Sequence, residues 1–198
     1  QGPSVDLLMG GDLATDDVNQ VFRKDNRPNW PRLAPCVSYM CVNFVRSQNK
    51  YVLIAIRALK SWRDVVCDET VERKNTPSSF LIELLCIWAS REETVQPTAS
   101  AVFWKVMEVL AAPVEELCIT WPDNVRSYDI GTVETDRINE RPLVLDPWKH
   151  WNNVARASNF KIVGRVAHEA VAQRHADSVA EAITSIPDLI ALMEDAHF

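Results

Sequence analysis

Glycine is scarce in this chain, five residues in 198, well under the roughly 7% of ordinary usage. Sheet sandwiches need many tight turns, so that scarcity favours helices. Long apolar runs are missing too. The run from Tyr51 to Ile56 stops at Arg57, and Leu81-Ile82 stops at Glu83, far short of the ~20 residues of a membrane span. No basic-plus-apolar segment opens the chain, so a soluble protein with no membrane partner is expected. An excess of positive charge is also absent. Twenty-one Lys and Arg face 27 Asp and Glu, a net charge of −6. The chain as a whole therefore lacks the basic footprint of a sequence-independent nucleic-acid binder. The five cysteines are odd in number and include no C-x-x-C pair. Buried free thiols in a reducing compartment, cytoplasmic or nuclear, are the expectation. The four histidines form no cluster with them that would hold zinc. Asp12, Asp16 and Asp17 do not match a calcium-loop pattern.

What is present is a globular composition, 47% apolar and 24% charged, in a chain long enough to bury one good core. Gln1-Gly2-Pro3 has the form of a tag remnant. Residues 1–4 are thus expected to be such a remnant and residues 5–198 a single domain. A short helix is read at 13–22, followed by a loop at 24–31. Helices follow at 37–46, 51–67, 80–91 and 100–110, the third capped by a Ser of Ser78-Ser79 with Glu83 in its first turn. Residues 116–121 alternate as a short strand, and 122–141 form a polar connection long enough to suggest a function. Leu143-Val144-Leu145 is apolar and halts at a turn, Asp146-Pro147. Residues 151–175 and 178–196 read as helices, the last interrupted at Pro187. His168 and His175 fall on one helix face, where a partly exposed packing role is expected. Val52, Ile56, Leu59, Leu81, Leu84, Leu85, Phe103, Val106 and Leu110 recur at helical spacing and are expected to form one core between three helices.

Charge is uneven. Between residues 44 and 74 seven basic side chains (Arg46, Lys50, Arg57, Lys60, Arg63, Arg73, Lys74) meet four acidic ones. That segment is either a local phosphate site or a solvated helix face.

Five stretches in register over about 150 residues resemble the 2′-5′-oligoadenylate synthetases and their nucleotidyltransferase relatives. Residues 5–13 (VDLLMGGDL) resemble the strand bearing the family's third catalytic aspartate. Residues 54–62 (IAIRALKSW) resemble the helix carrying an Arg and, three residues on, a Lys. Residues 77–85 (PSSFLIELL), 117–121 (LCITW) and 141–147 (RPLVLDP) are similar to a helix opening, a short strand and an Arg-Pro-x-x-Leu-Asp-Pro element. The resemblance implies a mostly α fold, the helical bundle-like C-terminal lobe of a nucleotidyltransferase with one or two short strands. It assigns Asp6 as catalytic and magnesium-holding carboxylate, and Arg57 and Lys60 as contacts to the phosphates of a nucleoside triphosphate. Ser79 falls where the family has a nucleotide-touching Gln.

Nucleotidyl transfer needs several carboxylates to hold two metals and cations to neutralise the triphosphate. Asp6 could be one carboxylate or a surface residue at a terminus. The family's Gly-Ser loop and Asp-x-Asp pair occur nowhere in the chain. Magnesium is therefore expected only in a full-length enzyme, and the isolated chain is expected to be inactive without its N-terminal catalytic lobe. Arg57 and Lys60, if they bind phosphate, should be accessible, free of carboxylate partners and near the helix start at Ser79. Double-stranded RNA is a further partner that the resemblance implies. The alternative is a non-catalytic module like the DZF dimerisation domains, which also resemble this superfamily and dock a protein partner.

Overall fold

The computed structural model describes residues 34–68, 76–92, 95–133 and 135–195. The expected helix at 13–22 and Asp6 lie outside them. A 3-10 turn (Ala34–Val37) leads into α1 (Ser38–Arg46), then α2 (Lys50–Asp68), α3 (Ser79–Ala89) and α4 (Ala99–Ala111). Strand β1 (Cys118–Ile119) follows, then a one-turn helix α5 (Thr135–Ile138), strand β2 (Leu143–Val144) and a long helix α6 (Phe160–Asp195). Strands β1 and β2 pair in parallel, Cys118 against Leu143 and Ile119 against Val144. The fold is mostly helical with one short strand pair, as the sequence predicts. No helix among the described residues is long and apolar enough to cross a membrane.

Each helix starts where its chemistry dictates. Ser78 Oγ accepts the Leu81 N–H at 3.1 Å, and Thr98 Oγ1 accepts that of Ala101 at 3.1 Å, each satisfying one donor left open at a helix N-terminus. Helix α3 buries Leu81, Ile82, Leu84, Leu85, Cys86, Ile87 and Ala89, so it is apolar nearly all round and must lie centrally. Helices α2, α4 and α6 pack around the core, and α2 and α4 flank α3 directly. The expected three-helix core forms, with Phe103 half-buried at its edge.

Two expectations are corrected. Helix α6 begins at Phe160 rather than 151. Upstream, Asn153 Oδ1 accepts the Val144 and Ala155 N–H groups, each at 3.1 Å, and Leu145 bridges Asn153. These bonds draw the segment towards the strand pair and away from a helix. Helix α6 also runs on through Pro187, whose ring-fixed φ is compatible with a helix. The polar connection 122–141 also packs against the core. Val125, Tyr128 and Val133 bury in the core, Tyr128 Oη donates to the Asp146 carbonyl at 2.9 Å, and the Ser127 N–H donates to that of Pro147 at 2.9 Å.

Among the described cysteines, Cys86 is buried, Cys36 and Cys41 are half-buried and Cys118 is exposed. Exposure of Cys118 departs from the expected burial because β1 turns alternate residues outward. Both His168 and His175 are exposed.

Two measurements check this packing. Leu84→Ala should cost about 2–5 kcal/mol in a denaturant titration. Burial pushes the Cys41 and Cys86 thiols up to about 12, which keeps both neutral and unreactive at pH 8. Iodoacetamide at pH 8 followed by peptide mass spectrometry should modify Cys118 and spare Cys41 and Cys86. Their alkylation should begin only on unfolding or as pH nears 12.

Candidate functional site

Helix α2 carries three cations at three-residue spacing, Arg57, Lys60 and Arg63, of which Arg63 reaches the opening of α3 and Lys60 reaches Glu83 further along it. Arg57 is exposed and has no carboxylate within ion-pair distance among the described residues. Lys60 Nζ donates to Glu83 Oε1 on α3, a contact closed enough that the two side chains stay only 28% and 19% exposed. Arg63 Nε and Nη2 donate to Asp64 Oδ1 at 2.9 and 2.6 Å. Its Nη1 donates to the Pro77 carbonyl at 2.9 Å and to Ser79 Oγ at 3.4 Å.

The structure thus joins Lys60 to Glu83 and brings Ser79 beside α2 through Arg63. Arg57 lies one turn before Lys60 on α2, and Asp6 lies outside the described residues. Two expectations need correcting. Lys60 is not free of carboxylate partners, and Glu83 lies beyond the first turn of α3, which starts at Ser79 and holds no acid there, and reaches across to α2. The physical reason is the same for both. Glu83 sits on an otherwise buried helix, and a carboxylate there is costly unless a cation meets it. Arg63 was not singled out from the sequence, although its place three residues after Lys60 extended the same stripe. Its reach to the opening of α3, 14 and 16 residues away, was invisible to local spacing.

Among these five side chains two of the three cations are matched by Asp64 and Glu83, leaving one net positive charge. The α3 N-terminus adds unpaired N–H groups and a partial positive charge. The edge can therefore accept an anion, weakly while Lys60 remains with Glu83. Among the described residues no three His, Cys, Asp or Glu side chains are grouped to hold a metal ion, and Glu83 is already engaged by Lys60. The described residues alone do not fit a magnesium centre.

A second polar group lies at the strand pair and is structural. Asp146 is fully buried. Its Oδ1 accepts the Trp148 N–H at 2.9 Å, and its Oδ2 accepts Asn152 Nδ2 at 3.2 Å with Lys149 Nζ at 3.8 Å. Burial pushes its carboxyl above the usual range despite Lys149. Asp146 thus follows the turn reading, with its oxygens consumed by neighbours.

Fold and site together define a mostly helical lobe with one parallel strand pair and a cationic helix edge set against a helix N-terminus. Residues 20–187 match the family described as 2′-5′-oligoadenylate synthetase 1, domain 2, C-terminus, and the chain belongs to that family. It is 27% identical over 149 residues to 2′-5′-oligoadenylate synthase-like protein 1 of Mus musculus. The corresponding protein of Rattus norvegicus is 26% identical over 149 residues. Each match covers 71% of this chain but only 28% of the relative.

A double-mutant cycle checks the central contact of this edge. Lys60→Met and Glu83→Gln, singly and together, should give a coupling of about 1 kcal/mol at low salt, falling in 1 M NaCl as the pair is screened. Zero coupling in urea titrations would mean that the pair does not form in solution.

Proposed function

We propose that this chain is the nucleotide-handling helical lobe of an oligoadenylate-synthetase-like nucleotidyltransferase, in which Arg57, Lys60 and the α3 opening at Ser79 receive the triphosphate of a nucleoside triphosphate. The observation that carries the reading is the exposed Arg57 one turn before Lys60 on α2, with Arg63 of the same helix bonded to Pro77 and Ser79 at the opening of α3. In this reading Lys60 exchanges Glu83 for phosphate oxygen when nucleotide arrives, and Arg63 holds the opening of α3 in place. Chemistry belongs to the partner lobe that supplies the Gly-Ser loop and the Asp-x-Asp pair. Asp6 is its third carboxylate, and magnesium enters only in that complete enzyme. Double-stranded RNA and innate immune signalling in the cytoplasm or nucleus belong to the same reading through family membership. Docking of a protein surface belongs to this reading, and Tyr39, Val42, Ile54 and Val65 are exposed apolar side chains on α1 and α2. That surface is the catalytic lobe here, and a second subunit in the DZF-like alternative.

The test is an NMR titration of the chain with ATP at low and high salt. Shifts should cluster on α2 and at the start of α3, weaken at high salt and vanish in Arg57→Ala/Lys60→Ala. Glu83→Gln removes a like charge beside the phosphates, worth ~1 kcal/mol in a water-like dielectric, and should tighten ATP about fivefold. Shifts that cluster elsewhere, or survive the double variant, would overturn the reading. In parallel, the chain with ATP and Mg²⁺, with or without double-stranded RNA, should release no pyrophosphate. Release by pure material would refute the division of labour.

A further inference from the structure

A groove of about 570 Å³ opens between the last turn of α4 and the first turn of α6, within the ~300–1,000 Å³ range of small-molecule sites. None of its lining residues belongs to the α2–α3 edge. Leu110, Leu117 and Phe160 are buried along it and Val114 is half-buried, with Ser158 and Asn159 as its polar lining. Gly164 lets the two helices meet at the back, since a Cβ there would stand 3.1 Å from the Leu110 carbonyl oxygen.

The mouth has the opposite character. Lys161 and Arg165 line it one turn apart on α6, both exposed and neither within ion-pair distance of a carboxylate among the described residues. They stand in the first two turns of a 36-residue helix, whose N-terminus adds partial positive charge. Such a concentration is notable on a chain of net charge −6, because two unpaired cations at the rim of a low-dielectric groove attract anions selectively. An apolar body with a single anionic head matches both halves.

We propose that this groove binds a medium-chain aliphatic carboxylate, its tail along Leu110, Leu117 and Phe160 and its head between Lys161 and Arg165. Isothermal titration of the 198-residue chain with hexanoate, decanoate and decanol tests it. Each methylene buried contributes ~0.8 kcal/mol, about three- to fourfold in affinity, so decanoate should bind at least tenfold tighter than hexanoate. Decanoate should also bind several-fold tighter than decanol, and Lys161→Glu/Arg165→Glu should erase that preference. Ala112 lies exposed at the end of α4 and lines the groove. Ala112→Trp should therefore weaken decanoate at least tenfold with the melting temperature unchanged. Arg57→Ala/Lys60→Ala should leave decanoate binding as it was, which separates this site from the nucleotide edge. Equal decanoate affinity in the wild type and both groove variants, no preference for decanoate over decanol, or loss of decanoate in the Arg57/Lys60 variant would each overturn the proposal.

Discussion

The rest of the structure depends on the burial of α3. Seven of its eleven residues are buried, with α2 and α4 both packed against it and against each other. A helix enclosed in this way leaves its one carboxylate little freedom. Glu83 is 19% exposed and must be matched by a cation from a neighbouring element. Lys60 is that cation, so core packing decides the state of a residue on the candidate phosphate edge. The same enclosure aligns the start of α3 with α2, where Arg63 bonds the Pro77 carbonyl and Ser79. Core burial and the surface edge are thus two results of one constraint.

A second constraint operates at the strand pair, where two residues per strand make too few hydrogen bonds to hold themselves. Side chains complete the work. Trp121 Nε1 donates to the Leu145 carbonyl at 2.6 Å, and Asn153 Nδ2 donates to the Pro142 carbonyl at 2.8 Å. Asn153 also gathers the Val144 N–H, so one amide side chain binds β2 to the segment ahead of α6. Satisfying these buried groups matters because each orphan costs roughly 1–3 kcal/mol. Trp148 Nε1 is the exception, buried without an acceptor among the described residues. Phe44 packs edge-on against both Trp121 and Trp148, ring centroids 5.9 and 6.4 Å apart, and so joins α1 to this knot.

Periodicity made the helical core legible. Val52, Ile56 and Leu59 on α2 and Leu81, Leu84 and Leu85 on α3 announce buried faces by spacing alone. The cap at Ser78 was legible for an equally local reason. What escaped was decided by residues far apart in sequence. Lys60 and Glu83 stand 23 residues apart, and no local rule couples them. The start of α6 was misjudged because Asn153 trades helix propensity for bonds to β2 nine residues earlier. Asn159, whose Oδ1 accepts the Lys161 N–H at 2.9 Å, was the local signal for that start. The packing of 122–141 was not legible because its polar composition hid three anchors, Val125, Tyr128 and Val133. For the candidate site, the cationic spacing was readable, whereas the partner of each cation was not.

The pairing of cations with nearby acids bears on how the proposed phosphate-binding edge can exist on an acidic protein. Three unmatched cations along one turn-and-a-half of helix would repel one another and oppose helix formation. Matching Lys60 with Glu83 and Arg63 with Asp64 removes most of that repulsion while leaving Arg57 in solvent. The matched cations are not equivalent. Arg63 is 13% exposed and spends its donors on three acceptors, so releasing it would unseat the start of α3. Lys60 bonds only Glu83 among the described residues and is 28% exposed, and a flexible ammonium can exchange one oxygen for another without disturbing the backbone. Under the proposed function an incoming phosphate would compete only for Lys60, with Arg57 supplying the initial attraction and Arg63 the framework. On this arrangement specificity lies in a replacement rather than in a preformed positive pocket, because only a ligand more anionic than a single carboxylate gains by displacing Glu83.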